Sequence, residues 1–332
     1  MKENELSILE QYDIDVKNTR KVRDGVLCET DQGPFLMKEL HVSDKRLTML
    51  ECLCNHLREQ GYENIDWILK TKNEENFTTS EDGHRYFLKR YFVGRECDMQ
   101  RDKDVLDAVK NLTKLHRALQ NPISEDAGAS VIGGEDLQSQ YFRHNREMKK
   151  VRSFMRDRVG KGNFELAFLK HFDEMFSYAE FALERVKTSN YGALFRESCE
   201  NHTFIHGDYN YHNILVTYTG IATTNFDHAE ENIQVTDLYY FLRKVMEKHH
   251  WDVRLGDKML DCYGRDLPYK EGELEYIGIC LAYPEKYWKA ANSYYRSRKV
   301  WIPAKNLEKL EMVIRQTEEK KAFLNTIFSF HL

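Results

Sequence analysis

The chain has 332 residues, 41% of them hydrophobic and 31% charged, and a net charge of −5, the profile of a soluble globular protein with one large domain or two lobes. Such a balance argues against a nucleic-acid groove or an anionic membrane surface as partner; basic pieces such as RHNREMKKVRSFMRDR read as solvated helix faces. No apolar run is long enough to cross a bilayer, and the mixed, acidic start MKENELSILEQYDIDVKN is not a secretory signal.

In chain order, GVLCET and PFLMKEL are short β-like runs separated by the turn DQGP. Ser43 is placed to cap the next segment, in which Leu47, Leu50, Leu53, Cys54 and Leu57 recur at helical spacing before Gly61 stops it. IDWILKTK and HRYFLKRYFV then read as a strand pair, so the first ninety residues run strand, strand, helix, strand, strand. After Gly94 the pattern turns helical: KDVLDAVKNLTKLHRAL, LQSQYFRHNREMKKVRSFMRDR and NFELAFLKHFDEMFSYAEFALERV, with a loop over 126–137 between the first two. TFIHGDYNYHNILV and GIATTNFD interrupt the helices with strand-like runs. VTDLYYFLRKVMEKH, LEYIGICLAYPEKYWKAANSYYRS and LEKLEMVIRQTEEKKAFLNTIF complete the chain. The division is α+β: a β-rich lobe over 1–93 and a mainly helical lobe over 94–332, with a hinge near Lys89 to Gly94.

Seven Cys are scattered along the chain. Cys52 and Cys54 are the one close pair, and no second Cys/His pair at zinc-like spacing accompanies them, so reduced, mostly buried thiols are expected. The aromatic block Tyr283, Tyr287, Trp288, Tyr294, Tyr295 and Trp301 reads two ways. One is a ring-stacking wall for a sugar; the other, favoured by the helical spacing, is core packing.

The stretch HGDYNYHNIL carries the chemistry. H-x-D-x-x-x-x-N before an apolar run presents a carboxylate, Asp208, and an amide, Asn213, to one site. In phosphoryl transfer such an Asp orients the attacking hydroxyl and such an Asn helps hold Mg²⁺ on the phosphates. His206 packs beneath as a structural residue. The same string also reads as a plain turn, since Asp, Asn and Gly are common turn residues. Asp237, opening the helix of TDLYYFLRK, suits a tether for the catalytic-loop backbone; simple complementation of the helix dipole is the other reading.

Together with NFDHAEENIQVTDLYYFLRK, this stretch resembles the aminoglycoside-phosphotransferase-like branch of the kinase fold. Within it, GPFLMKEL, GRECDM, HGDYNYHN and YPEKYWKAANSYYRSRKVWIP resemble the spore coat CotS family, in that family's order. The resemblance implies a two-lobed protein-kinase-like fold with ATP or another nucleotide, and Mg²⁺, in a cleft between the lobes. It implies that Lys38 pairs with the phosphates, with Glu51 as its helix partner (Glu59 the alternative), and that the backbone of LKRYFV meets an adenine edge. Asp208 is then the catalytic residue, and Asn213, Asn225 and Asp227 the metal ligands. His206 and Asp237 support the loop. A protein made in the mother-cell cytoplasm and then built into the spore coat is implied as well, with a small-molecule acceptor or other coat proteins as partners.

Two departures stand out. No G-x-G-x-x-G loop lies near VRDGVLCET, where Gly25 is alone. Asn225 of TNFD stands where the family's I-D-F-x pattern has its metal-binding Asp, and Mg²⁺ prefers carboxylates beside phosphates; Asp227 is the residue that can compensate. The segment from Asn225 to Asp237 is too short for a peptide-docking activation segment, so a kinase here would act on a small molecule or a sugar. Two functions stay open: an ATP- and Mg²⁺-dependent phosphotransferase, or a pseudokinase that serves the coat by binding.

Overall fold

The computed structural model describes residues 7–22, 25–122, 132–296 and 304–332. Trp301, residues 126–131 of the expected loop and the two residues before Gly25 lie outside them. The chain forms two compact units, Met1–Gly133 with Asn201–Asp237, and Gly134–Glu200 with Leu238–Leu332. These units are defined by compactness and cross the division expected at residues 93–94; among the described residues seven strands lie before residue 97 and four more between Phe204 and Glu231.

The first unit is built on an antiparallel sheet of β1 (Val16–Val22), β2 (Gly25–Thr30), β3 (Gly33–Glu39), β4 (Ile68–Leu69), β5 (Thr78–Thr79) and β6 (Arg85–Arg90). The strands run β1-β2-β3-β6-β4, with β5 also on β6. β2 and β3 lie where GVLCET and PFLMKEL were read. β1, VKNTRKV, was not read from sequence: its side chains are exposed or half-buried, and no apolar alternation marks it.

Register fixes what each face carries. Lys38 lies opposite Phe87, and Leu36 opposite Lys89. Side chains alternate along a strand and directly opposed residues share a face, so Leu36, Lys38, Phe87 and Lys89 point the same way. Phe35, Met37 and Leu88 point the other way and pack with Ile8, Leu9 and Tyr12. Helix α1 (Asp44–Glu59) lies on the lysine-bearing face, with Leu47 against Phe87 and Leu40. Ser43 caps it by accepting from the Arg46 N–H. Gly61 (φ +78°) ends it, the Tyr62 N–H turning back to Leu57 O at 2.8 Å.

Helix α2 (Asp102–Ala118) buries a face of Val105, Ala108, Val109, Leu112 and Leu115. β7 (Arg95–Glu96), β9 (Ile214–Thr217) and β10 (Gly220–Thr223) make a three-stranded sheet, and β8 (Phe204–Ile205) pairs with β11 (Glu230–Glu231). Gly94 lets the chain approach β9, since a Cβ there would sit 2.7 Å from Val216 O.

The second unit is helical. Helices α3 (Leu137–Asp157) and α4 (Asn163–Thr188) pack together, and Phe164, Phe168, Phe172 and Phe176 recur every four residues on a buried face of α4. Helix α5 (Tyr191–Glu200) follows. Most of helix α6 (Val235–Met246) belongs to this unit, as does helix α7 (Val253–Asp266). The stretches read as two long helical pieces are four helices: α8 (Glu273–Ala282), α9 (Glu285–Arg296), α10 (Ala304–Arg315) and α11 (Thr317–Phe328). Pro284 separates the first two, since it cannot donate to a continuing helix. The described aromatics of the block are core rather than wall. Tyr283 stacks on Tyr141 at 3.8 Å, Trp288 on His144 at 3.5 Å, Tyr287 on Phe168 at 4.6 Å and Tyr294 on Phe164 at 5.0 Å. Tyr295 alone of these is exposed.

Candidate active site

The site lies within the first unit, around the loop His206–Asn213 and the turn after β10. The hairpin explains why its two amides meet. Ile214 is paired with Thr223, and the Thr224 N–H donates to Asn213 O at 2.9 Å, so Asn213 and Asn225 leave the hairpin side by side. The Asn225 Nδ2 donates to Asn213 Oδ1 at 3.0 Å.

The loop is held from beneath by Asp237, which is 1% exposed. Its carboxylate accepts from the His206 N–H at 2.7 Å, the Gly207 N–H at 3.0 Å and His116 Nε2 at 3.2 Å. Gly207 has φ +77°, and a Cβ there would lie 2.1 Å from His228 O, so a side chain is excluded on both counts. His206 is fully buried; it donates from Nε2 to Thr224 O and accepts the Asp208 N–H at Nδ1. Accepting at Nδ1 demands the neutral ring, and burial lowers its basicity accordingly. Tyr209, also fully buried, anchors the loop to α2 through Ala108 O at 2.7 Å.

The Asp208 carboxylate is fixed by two amides. Oδ1 accepts from Asn210 Nδ2 at 2.8 Å and Oδ2 from Asn213 Nδ2 at 2.9 Å. Each oxygen keeps a free lone pair, so the group can still accept a hydroxyl proton. Asn213 also donates to Asp208 O at 2.8 Å, which sets its amide: nitrogen toward Asp208, oxygen toward Asn225.

The sheet adds a charge cluster. Lys38 Nζ donates to Asn225 Oδ1 at 3.4 Å and lies 3.7 Å from Asp227 Oδ2. Lys89, with its side chain 5% exposed, donates to Asp227 Oδ1 at 2.8 Å and lies 3.5 Å from Asp66 Oδ2. Asp66 in turn accepts the Asn225 N–H at 2.9 Å. Burial works against the charge of Lys89, but the two carboxylates keep it protonated. Burial raises Asp66 despite Lys89. In Asp227 burial is outweighed by Lys89 and Lys38, and its carboxyl is lowered. Arg46 on α1 ties the same turn down, donating to Asp227 O at 3.2 Å and Ala229 O at 2.8 Å.

Lys38, Asp208, Asn213, Asn225 and Asp227 are thus brought together, with His206 and Asp237 supporting them. Glu51 is not. It pairs with Lys70 and Asn76 instead. At about 100° per residue it points about 140° round the helix from Arg46, the residue of α1 that reaches the site. Cys54, about 80° round from Arg46, is buried near Asp66 and Lys89, and burial pushes its thiol up to about 12. The sequence reading missed Lys89, Asp66, Arg46 and Asn210. For the first two a signal existed: charges set in the apolar runs YFLKRYF and NIDWIL, where a buried charge is kept only if paired. In the expected hinge, the Arg90 and Tyr91 N–H groups are engaged by Trp67 O and Pro34 O.

Whether these groups fit Mg²⁺ follows from their bonding. Mg²⁺ wants oxygens in near-octahedral array, carboxylates among them. Here Asn213 Oδ1 accepts from Asn225, and Asp227 is bonded to Lys89 and flanked by Lys38. Among the described residues no three His, Cys, Asp or Glu are grouped to hold a metal. The set as bonded does not fit the ion.

Over residues 5–327 the chain matches the family described as "Spore coat putative kinase YutH". The chain belongs to that family. It is 26% identical over 323 residues to spore coat protein S of Bacillus subtilis (strain 168), covering 94% of this chain and 88% of that protein. Among solved structures it is similar to an aminoglycoside phosphotransferase from Alicyclobacillus acidocaldarius, with a TM-score of 0.86 at 16% identity over 98% of this chain and 95% of that one. A spectinomycin phosphotransferase in complex with ADP and spectinomycin gives 0.62 at 11%, over 94% of each chain. An amicoumacin kinase in complex with AMP-PNP, Ca²⁺ and its antibiotic gives 0.56 at 10%, over 95% of this chain and 89% of that one. The fold is therefore α+β and kinase-like, of the aminoglycoside phosphotransferase type. No helix among the described residues is long and apolar enough to cross a membrane.

Proposed function

We propose that this family member is a nucleotide-binding pseudokinase of the spore coat. In this reading residues 1–93 are the nucleotide-binding lobe and 94–332 the mainly helical lobe. Lys38 meets the phosphates, and the protein serves the coat through binding after synthesis in the mother-cell cytoplasm. The observation that carries it is the amide bridge between Asn225 Nδ2 and Asn213 Oδ1. Where two facing oxygens would need a cation between them, one side supplies an N–H. Nucleotide binding is supported by the nucleotide complexes of proteins that share the fold.

A second reading, phosphoryl transfer to a small hydroxylated or sugar acceptor, is favoured by Asp208. Its carboxylate is oriented by Asn210 and Asn213 and keeps lone pairs free to take a hydroxyl proton.

The two are separated by ATP binding and ATP turnover, with and without Mg²⁺, in the wild type, Asn225→Asp and Asp227→Asn. The expected result is wild-type ATP binding that Mg²⁺ does not strengthen, no turnover, and Mg²⁺-dependent binding in Asn225→Asp. Mg²⁺-dependent wild-type turnover that Asp227→Asn abolishes would establish the phosphotransferase instead. No ATP binding at all would leave a scaffold role alone.

A further inference from the structure

The second unit contains a cavity of about 380 Å³ between the C-terminal end of α6, the α8–α9 junction, and α10 and α11, a size that suits a small molecule. It shares no residue with the candidate active site. We propose that this cavity binds a small organic oxyanion, a carboxylate or phosphate group joined to a ring or other apolar portion.

Charge comes first. Five cationic side chains line the cavity, Arg243, Lys286, Lys289, Lys309 and Lys320, against two carboxylates, Glu247 and Glu285. Both carboxylates are already engaged. Glu285 lies 3.3 Å from Arg243 Nη2, pairs with Lys289 and accepts from Tyr239 Oη at 3.0 Å. Glu247 lies 3.5 Å from Arg243 Nη1 and pairs with Lys286. Neither Lys309 nor Lys320 is in an ion pair among the described residues. The wall thus carries an excess of three positive charges, with two ammonium groups outside any ion pair.

Lys320 is the more telling of the two. It is partly buried, and its ammonium has only two long contacts, 3.4 Å each, to Ala282 O and Tyr283 O, with the Trp251 ring 5.7 Å away. Burial, reinforced by the Arg243 charge, lowers it to about 8. A buried cation is normally paired; an anion in the cavity would supply the missing partner.

Arg243 Nε and Trp251 Nε1 have no hydrogen-bond partner among the described residues; their side chains line this cavity, but the two nitrogens are themselves covered by protein, so the charged groups carry the argument. Trp251, Pro284, Met312 and Val313 supply the apolar part of the lining, which calls for a ring or hydrocarbon beside the anion. A neutral or cationic ligand would leave the charge excess uncompensated.

The test is calorimetric titration of the full chain with phenyl phosphate, benzoate, inorganic phosphate and phenol. Phenyl phosphate or benzoate is expected to bind, inorganic phosphate more weakly, and phenol not at all; which of the two aromatic anions binds more tightly identifies the headgroup. Lys320→Met keeps the stem packed and removes the charge, and should weaken the better probe by about ten-fold or more. Lys309→Glu, at an exposed position, should weaken it several-fold and serves if Lys320→Met does not fold. Absence of binding by both aromatic anions at about 10 mM would overturn the proposal. Equal binding of phenol would overturn it too, as would affinity indifferent to both lysine variants.

Discussion

Lys89→Met isolates the charge cluster behind the candidate site. Methionine keeps most of the lysine stem, so packing changes little. What is lost is the ammonium between Asp227 Oδ1 at 2.8 Å and Asp66 Oδ2 at 3.5 Å. Removing one partner of a buried pair costs about 3–5 kcal/mol, because the remaining charge is stranded. Here the lower end applies. Asp227 keeps Lys38 at 3.7 Å and is a quarter exposed, and Asp66 keeps the Asn225 N–H. About 3 kcal/mol is expected, read from urea unfolding with tryptophan fluorescence and from amide exchange across β3 and β6. Adding Asp66→Asn should recover at least about 1 kcal/mol, since the amide oxygen still accepts from Asn225 while the stranded charge is gone. A loss below about 1 kcal/mol in the single variant, or strict additivity in the double, would refute the assignment of Lys89 as a buried counter-ion.

Two further outcomes are expected. Asp237→Asn turns one of three accepted hydrogen bonds into a donor-donor clash, so stability should fall by about 2–4 kcal/mol, with faster amide exchange at His206 and Gly207; a loss under about 1 kcal/mol would show that the loop does not depend on this tether. His144, buried against Trp288, is lowered to about 4 by burial and then by the Arg143 charge. The unfolded chain protonates its histidine near pH 6.5 and the folded one only near 4, so stability is full above about pH 6.5 and falls by roughly 3 kcal/mol as pH drops to about 4. His144→Phe should flatten that part of the urea-midpoint profile, and an unchanged profile would reject the cause.

How legible these features were depended on whether their determinants are local. Asp208, Asn213 and Asp237 could be placed because a loop, a hairpin and the next helix lie within about thirty residues, and the residue types follow from turn and cap chemistry. β3 and α1 showed in apolar spacing, and Ser43 and Gly61 in cap chemistry. β1 did not show, because an edge strand with polar faces has no period to detect. Glu51 failed for a geometric reason: which side of a helix faces a site depends on its azimuth against the sheet, and distance along the chain does not encode that. Asp66 and Lys89 are separated by 23 residues and meet across β4 and β6; only their setting in apolar runs hinted at a pair. Pro284 was visible in the sequence, yet the helical spacing around it masked the break it makes.

At position 225, asparagine and aspartate differ in hydrogen-bond polarity rather than in backbone or volume. Its φ of +66° and ψ of +57° are left-handed, a region that asparagine and aspartate both tolerate, and the two side chains are nearly the same size. What distinguishes them is the group presented to Asn213. That amide cannot rotate freely, because its nitrogen is committed to Asp208 O and Oδ2; its oxygen therefore faces position 225. A carboxylate there would set two acceptors about 3 Å apart, an arrangement that needs a cation between them. The asparagine N–H satisfies the same oxygen directly, and its own oxygen takes up Lys38 at 3.4 Å. Asp227 does not restore the missing charge, because Lys89 and Lys38 already neutralise it. Asparagine at 225 is thus wired into a site that closes on itself without a metal ion, through Asn213 on one side and the lysines of the sheet on the other.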